Sequence, residues 1–375
     1  MKVLMIAPTP FFSDRGCHIR IYEEIKTLKQ LGHSITLCTY HLGEDIPGLT
    51  IKRSLTVPWY NKLDAGPSWH KPYLDMLLFF LVLKELYTNK FDLIHAHLHE
   101  GIFIGKIAAF FRFKKIPLIF DSQGGLVSEL SAQHFITEGS WLMKFFSWME
   151  KKLYRAPDIL ITSSNYLKGY PNHVVFDTVN QDSYKVDQSD VQKIVEQYNL
   201  KNKLVITYSG GIKSYKGINI IFDAIPLVLK KIPNAIFLMI GYGELAEYQQ
   251  VVKRLNVEKN VIFTGRVSYF DIPKYLHVSD IAIDPKPEAT EANGKVLHYR
   301  AAGLPTIVYN RSNVSVLADD YIYLVNDNQE LAKQIVFLAE HPEMIKASKA
   351  HPTSGGLDTK WIDSFRDIYG QIKLA

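Results

Sequence analysis

The stretch LVITYSGGIKSYKGINIIFDAIPLVLKK, residues 204–231, contains the pattern of a strand, a glycine-rich turn and a helix. Its first five residues predict a buried strand, and the apolar spacing after Gly217 predicts the helix. Two glycines and two lysines lie between them. Backbone N–H groups, a helix N-terminus and lysine ammonium groups together suit a diphosphate, so this turn predicts an anion site. A surface turn with solvated lysines is the alternative.

A second polar segment, DPKPEATEANGKVLHYRAAGLP at residues 284–305, follows another predicted strand. Asn293 is placed to cap the helix that comes next. A carboxylate at Glu291 would accept hydrogen bonds from sugar hydroxyls, and the free N–H groups of Gly294 and Lys295 would face phosphate. An acidic loop followed by an ordinary capped helix is the alternative.

Strands and helices alternate outward from these segments along the whole chain, which predicts parallel sheets covered by helices on both faces. A less apolar connection, residues 177–201, separates two such series. The predicted fold class is therefore α/β, with two Rossmann-like domains facing each other across a cleft. The first domain is predicted at residues 1–183 and the second at 184–356. A C-terminal helix in residues 357–375 is expected to pack back on the first domain.

Length and composition support two ordinary globular domains, because 375 residues exceed one typical core. Two cysteines make no disulfide framework, and the apolar N-terminal run is too short for a signal peptide. The longest apolar stretch, residues 74–83, is about half of what a bilayer crossing needs. We therefore expect a cytoplasmic protein, with the inner face of the membrane as an alternative location. A net charge of +5 is too mild to indicate nucleic acid.

Three histidines alternate at His95, His97 and His99, where a strand would place them on one face. Paired histidines at a strand end also occur in zinc-dependent hydrolases, but the further ligands of such a site are not found in the sequence. We favour contact of His97 or His99 with sugar hydroxyls, and a buried, hydrogen-bonded histidine at position 95 is one alternative.

Two segments mix aromatic residues with cations, at residues 106–115 and 141–155. Such mixtures suit a membrane surface, where aromatic rings enter the headgroup region and lysines meet anionic lipid. The alternative is a helix that buries its aromatics in the core and leaves its lysines solvated. The first interpretation predicts peripheral membrane contact.

The order of the motifs resembles the retaining GT-B glycosyltransferases of family four, the glycogen-synthase-like or group 1 glycosyltransferases. The resemblance covers nearly the whole chain. Its segments include Gly-Gly…Tyr-Lys-Gly at 210–217, IGYGE at 240–244, VIFTGRV at 261–267, GK…YRAAGLP at 294–305 and DLIHAH at 92–97. It implies a hexosyltransferase that moves a sugar, with retention, from a UDP- or GDP-sugar to a hydroxyl of a glycan or lipid-linked acceptor. The second domain would hold the donor and the first the acceptor.

The patterns and the resemblance together assign the site residues. Catalysis is assigned to Lys213, Lys216, Glu291 and His97. Donor binding is assigned to Gly16, Gly210, Gly211, Gly217, Gly241, Gly243, Arg266, Val267, Asn293, Gly294 and Lys295. The acceptor side is assigned to Arg20, His99 and Gln123.

The sequence departs from the family pattern at three places. Gly211 stands where the family usually has an arginine, and Gln123 where it often has a histidine. The family's pair of glutamates aligns with Thr290 and His298, so Glu291 or Glu288 would take the first role.

The sequence also bears on metals, cofactors and other activities. No Asp-x-Asp triplet is present, and lysines and helix dipoles serve the same electrostatic purpose, so neither a metal nor a cofactor is expected. The alternatives are an inactive or weakly active sugar-nucleotide-binding protein and a sugar-nucleotide epimerase of the same fold. A phosphorylase would need a phosphate site or a pyridoxal lysine, and neither is recognisable in this sequence. A dinucleotide oxidoreductase would need G-x-G-x-x-G after the first strand, and this sequence does not have that pattern there.

Overall fold

The computed structural model describes residues 1–13, 16–63, 70–112, 115–132, 135–165, 167, 169–287, 294–310, 319–353 and 357–372. The chain forms two compact units. The first contains Met1–Asp177 and the C-terminal residues from Thr359 onward, and the second contains the described residues between them. Both are parallel α/β units, as the alternating pattern predicts.

The first unit is built on a parallel sheet with the strand order β3-β2-β1-β4-β5-β6-β7. Its strands are β1 Lys2–Ala7, β2 Ser34–Thr39, β3 Thr50–Arg53, β4 Leu93–His97, β5 Leu118–Ser122, β6 Ile159–Thr162 and β7 His173–Val174. Its helices are α1 Gly16–Gln30, α2 Lys71–Thr88, α3 Leu98–Phe111, α4 Leu126–Ala132, α5 Trp141–Leu153 and, at the C-terminus, α13 Leu357–Gly370.

The second unit repeats the plan with the strand order β10-β9-β8-β11-β12-β13, again all parallel. Its strands are β8 Leu204–Ser209, β9 Ala235–Ile240, β10 Val261–Gly265, β11 Ile281–Asp284, β12 Thr306–Tyr309 and β13 Ile322–Val325. Its helices are α6 Gln188–Gln197, α7 Ile218–Leu229, α8 Leu245–Leu255, α9 Ile272–His277, α10 Gly294–Ala301, α11 Asn328–Glu340 and α12 Pro342–Ala350.

Burial explains why the sequence pattern located most of these elements. Every residue of β4 and of β9 is buried, as expected for central strands of a sheet covered on both faces. Helix α1 buries Ile21, Ile25 and Leu28 on one face, and Gly32 follows it with φ of +83°. A left-handed residue at this position is the usual way to end a helix.

Helix α13 contacts the core of the first unit directly. The indole N–H of Trp361 donates to Thr27 Oγ1 at 2.8 Å, and the Tyr369 hydroxyl lies 2.8 Å from His95 Nδ1. Among the helices that the structure describes, none is both long and apolar enough to cross a bilayer.

In each unit the strand order reverses once, between β1 and β4 and between β8 and β11. Open parallel sheets bind ligands at the carboxyl ends of the strands beside such a reversal. The glycine-rich turn follows β8, and the two histidines of DLIHAH lie in β4. The topology therefore places the motifs of the sequence at two ligand-binding positions.

Candidate active site

The turn after β8 is built from glycines whose conformation and surroundings exclude a side chain. Gly210 and Gly241 have φ of +136° and +144°, values that favour glycine. A Cβ on Gly241 would lie 1.9 Å from the carbonyl oxygen of Gly210, and one on Gly243 2.2 Å from that of Ile212. Two loops at the ends of β8 and β9 are thus packed backbone to backbone.

The same turn also packs against the end of β11. Gly217 has φ of +77°, and a Cβ there would lie 2.2 Å from the carbonyl oxygen of Pro285. Residues Ser214–Lys216 form a short 3-10 turn that leads into α7 at Ile218. Lys286, next to Pro285, is buried although it carries an amine. The carboxyl ends of β8, β9 and β11 therefore converge here.

Three further lysines surround this turn. Lys213, directly before the 3-10 turn, and Lys216, its last residue, are half-buried, and the Lys216 ammonium lies 5.1 Å from the centre of the Tyr215 ring. Lys295, in the first turn of α10, lies over the Tyr208 ring at 5.8 Å. Its Cε would be 2.7 Å from a Cβ on Gly210. Positive groups therefore approach the glycine-rich backbone from both the turn and α10.

Helix α10 is fixed to the sheet by buried polar contacts. The Tyr299 hydroxyl accepts a hydrogen bond from the Ser209 backbone N–H at 2.8 Å. Burial, together with the charge of Asp284, raises the pKa of Tyr299. Arg300 pairs with Asp319 at 2.8 Å and donates to the carbonyl of Leu304. The Tyr299 contact holds α10 against the end of β8, and the Arg300 contacts fix the C-terminal end of the helix.

The first unit contains a buried polar cluster at its own strand reversal. Arg20 of α1 makes a bidentate pair with Asp121 of β5, at 2.8 and 3.0 Å. It also donates to Asp177 at 2.8 Å and lies 3.1 Å from Glu24. Burial by itself lowers the pKa of Arg20, but the carboxylates of Asp121, Glu24 and Asp177 raise it overall. Burial also opposes the ionisation of Asp121, yet Arg20 and His97 hold the pKa of that carboxyl well below its ordinary value.

His95 and His97 project from β4 into this cluster, with both side chains fully buried. Their rings are stacked with centroids 4.7 Å apart. Burial lowers the pKa of both histidines, so both are neutral near pH 7. His97 Nδ1 lies 3.3 Å from Asp121 Oδ2, and the Gln123 amide donates to the same oxygen at 3.1 Å.

Two family models match consecutive parts of the chain. The model described as Glycosyl transferase 4-like domain matches residues 15–170, and the model described as Glycosyl transferases group 1 matches residues 203–341. The fold of HepE from Anabaena, solved with UDP and glucose, superposes on the chain with a TM-score of 0.76. That likeness covers 99% of this chain and 100% of HepE at 17% identity. The protein is a GT-B glycosyltransferase.

The sequence relatives of this glycosyltransferase include two transferases. The sulfoquinovosyl transferase SQD2 of Arabidopsis thaliana is 22% identical, over 81% of this chain and 60% of SQD2. An Escherichia coli enzyme named UDP-Gal:alpha-D-GlcNAc-diphosphoundecaprenol alpha-1,3-galactosyltransferase is also 22% identical, over 79% of both chains.

The structure of this glycosyltransferase brings the predicted donor residues together in part. Gly210, Gly211, Gly217, Gly241, Gly243, Gly294 and Lys295 all lie at the carboxyl end of the second sheet. Arg266 and Val267 directly follow β10, and the Arg266 guanidinium lies 5.9 Å from the Tyr242 ring. Glu291, Asn293, Glu288 and Thr290 lie outside the described residues. The roles of all these residues stay predictions.

The residues predicted for the acceptor side are less accessible than the sequence suggests. His97 is fully enclosed, and His99 is buried with its Nε2 3.3 Å from the Tyr154 hydroxyl. The Arg20 guanidinium forms ion pairs with its carboxylate partners, and the Gln123 amide donates a hydrogen bond to Asp121. Gly16 is exposed at the start of α1, and a Cβ there would meet no described atom within 4 Å. Contact of Arg20, His99 and Gln123 with an acceptor stays a prediction, as do the catalytic role of His97 and the donor contact of Gly16.

Sequence reasoning missed two charged residues at these positions. Lys286 lies between two prolines directly after a buried strand, a placement that could have indicated a lysine at the sheet edge. Glu24 lies on the inner face of α1, one residue before Ile25 in the apolar pattern. Its proximity to His95 and His97 depends on the packing of α1 against β4, which no local pattern shows.

Proposed function

We propose that this glycosyltransferase moves a sugar from a nucleoside diphosphate sugar, UDP- or GDP-linked, to a hydroxyl of a glycan or lipid-linked acceptor. The observation that carries the proposal is the lysine-rich, glycine-lined turn at the strand reversal of the second sheet. HepE was solved with UDP, and the E. coli relative is named for a UDP-galactose donor. The name of this relative and that of SQD2 support a role for the transfer reaction in glycan or glycolipid biosynthesis.

In the proposed reaction the bond between the sugar C1 and the diphosphate oxygen breaks, and a bond from C1 to the acceptor oxygen forms. Negative charge grows on the departing diphosphate, and an oxygen of that diphosphate takes up the proton that the acceptor hydroxyl loses. Lys213, Lys216 and Lys295 would stabilise that charge, and the backbone N–H groups near Gly294 would add to it. Glycine at positions 210 and 241 allows the loop after β9 and the Lys295 side chain to pack closely against this turn.

Retention of the anomeric configuration and independence from divalent metal at the donor site are parts of this proposal. Retention is supported by the motif order of residues 208–305, and metal independence by the lysines around the turn. Proton NMR of the first product formed would give its anomeric configuration. Full donor turnover in the presence of EDTA would support the second part, and a loss restored by Mn²⁺ would contradict it.

The decisive experiment tests Lys216 in the hydrolysis of a panel of nucleotide sugars. Lys216→Ala should lower kcat/KM by on the order of 10²-fold with the preferred donor, because a fixed charge at the leaving group is lost. Lys203→Ala removes an exposed lysine before β8 and serves as the matched control. Equal rates for both variants, with unchanged circular dichroism, would remove Lys216 from the mechanism.

We also propose that helix α5 binds an anionic membrane surface, so that the enzyme reaches a lipid-linked acceptor. Trp141, Phe145 and Trp148 follow one another at helical spacing and are 73%, 47% and 58% exposed. Of the side chains of α5, Leu153 alone is fully buried, so most of its aromatics lie outside the core. Lys151 and Lys152 are exposed in its last turn. Aromatic rings and cations on one exposed helix suit the headgroup region.

Vesicle co-sedimentation tests this second proposal. Lys151→Glu with Lys152→Glu should weaken binding to anionic vesicles by on the order of 10-fold or more, because each cation near the surface contributes about 1 kcal/mol. Lys201→Glu with Lys203→Glu makes the same charge change on exposed residues of the second unit and is the control. Neutral vesicles or high salt should abolish binding. No sedimentation of the wild type at low salt would contradict the proposal. In the other segment predicted to contact the membrane, residues 106–115, Lys115 is exposed and Lys114 lies outside the described residues.

A further inference from the structure

The buried cluster of the first unit holds a set of metal-ligand atoms that the glycosyl-transfer mechanism does not use. Glu24 comes from α1, and His95 and His97 come from alternate positions of β4. Each of the three side chains is fully buried, and one ligand atom from each lies within 4.8 Å of the others. We call these three residues the Glu24 site.

The atoms that point into the Glu24 site lack hydrogen bonds. Among the described residues, neither Nε2 atom of His95 and His97 has a hydrogen-bond partner, and neither carboxylate oxygen of Glu24 has one, although Arg20 Nε forms an ion pair with Glu24 Oε1 at 3.1 Å. The opposite ring nitrogens are occupied, because His95 Nδ1 lies 2.8 Å from the Tyr369 hydroxyl and His97 Nδ1 3.3 Å from Asp121. Buried polar atoms without partners are rare and require a specific explanation.

Asp121 favours a proton on Nδ1 of His97. Asp121 is held in a bidentate pair by Arg20, so it is an ionised carboxylate that only accepts hydrogen bonds. A neutral His97 ring that donates from Nδ1 to Asp121 presents a lone pair at Nε2; the Gln123 Nε2 atom also lies 3.4 Å from that Nδ1. The Nε2 atom of His97 faces Glu24 Oε2 at 3.8 Å. When Glu24 is ionised, two acceptors face each other.

The distances favour a cation over a shared proton between these acceptors. His95 Nε2 and His97 Nε2 lie 3.5 and 3.8 Å from Glu24 Oε2. A proton bridging oxygen and nitrogen would draw them to about 2.7–3.2 Å. Ligands bound to tetrahedral Zn²⁺ at about 2.0–2.1 Å are roughly 3.3–3.4 Å apart. The observed spacing is close to that of a metal-bound set.

The charge of the surroundings favours a divalent ion as well. The carboxylates of Glu24, Asp121 and Asp177 surround the single guanidinium of Arg20. Burial and the charge of Asp121 raise the pKa of Glu24 well above its ordinary value, because an ionised carboxylate is costly here. A divalent ion beside Glu24 would stabilise its ionised form.

We propose that Glu24, His95 and His97 form a structural binding site for a divalent cation of the zinc class. Two imidazoles and a carboxylate are ligands that Zn²⁺ accepts, and the carboxylate–histidine contact of Asp121 is typical of the support given to a ligating imidazole. The ion would tie α1 to β4 in the first unit. The proposal is independent of the donor site, which lies in the second unit, so its test does not use glycosyl transfer.

Metal content measures the site directly. Because the site is enclosed, untagged protein should be refolded with Zn²⁺, desalted and analysed by inductively coupled plasma mass spectrometry. The wild type should retain about one zinc per chain and Glu24→Gln less than a tenth of that. His99→Asn changes a buried histidine outside the site and should retain the ion.

Thermal unfolding and cobalt spectra complete the test and keep it independent of any single variant. Refolding with Zn²⁺ rather than EDTA should raise the Tm of the wild type by several degrees, because the ion binds the folded state. Glu24→Gln should show no such rise. Co²⁺ should give visible ligand-field bands in the wild type and none in Glu24→Gln. A wild type that holds no metal, or a Glu24→Gln variant that holds as much, would overturn the proposal.

Discussion

At the scale of single residues, Gly217 combines a left-handed backbone with a closely packed neighbour. Gly265 has a similar φ, +72° against +77°, but a Cβ there would meet no atom within 4 Å. Gly265→Ala should therefore lower the free energy of unfolding by about 1–2 kcal/mol, the cost of a left-handed backbone at a residue with a side chain. Gly217→Ala should lower the free energy of unfolding by roughly twice as much, because its Cβ would also collide with Pro285. It should also slow donor turnover. Urea unfolding measures the free energy of unfolding of both variants. Equal decreases would show that the turn at Gly217 accommodates a Cβ without a further loss of stability.

The same scale shows which parts of the site a sequence can reveal. Gly210, Gly217 and Gly241 were predictable, because a backbone that has no room for a side chain requires glycine, and glycine can be seen in the sequence. Glu24 was not, because on α1 it is simply a polar residue beside an apolar stripe. Its meaning depends on β4, far along the chain, and appears only when the helix packs on the strand.

At the scale of elements, helices α2 and α3 enclose an acidic residue within an apolar surface. Asp75 of α2 accepts a hydrogen bond from the Tyr40 hydroxyl at 2.5 Å, and the Lys71–Glu100 ion pair lies nearby. Burial, reinforced by the charge of Glu100 and opposed by Tyr40 and Lys71, raises the pKa of Asp75 from 3.8 to about 7. The folded state therefore binds this proton more tightly than the unfolded state does. Stability from this group is highest below about pH 4 and falls as the pH rises towards 7.

Asp75→Asn should remove that pH dependence, because the amide keeps the acceptor for Tyr40 and never ionises. At pH 8 the variant should be more stable than the wild type by roughly 2 kcal/mol, after allowance for the partial exposure of the side chain, and near pH 4 the two should converge. Asp223→Asn on the exposed face of α7 is the control. Chemical unfolding at both pH values measures the difference, and a constant difference would refute the argument.

Element prediction succeeded where burial leaves a pattern and failed at the sheet edges. Helix α7 begins at Ile218, directly after Gly217 as the apolar spacing predicts, because its apolar residues enter the core. Strands β3 and β13 leave no such pattern in the sequence. Both are edge strands in which most residues are exposed or half-buried, so neither shows a continuous apolar run.

At the scale of the whole molecule, the chain crosses from the first unit to the second after Asp177 and returns at Thr359. Each unit has its own buried core. Phe365 of α13 is fully buried in the first unit, and Phe222 of α7 stacks on Tyr248 in the second, with centroids 4.9 Å apart. Separate cores predict separate unfolding transitions.

Two matched substitutions test whether the returning helix belongs energetically to the first unit. Truncating a buried phenylalanine to alanine costs about 3–5 kcal/mol at either site. Phe365→Ala should lower one calorimetric transition and accelerate hydrogen exchange in β1, β4 and α1, while exchange in β8 and β9 stays slow. Phe222→Ala should do the reverse. If either variant moved both transitions together, the two units would unfold as one cooperative body, and the C-terminal helix would stabilise the whole enzyme rather than the first unit.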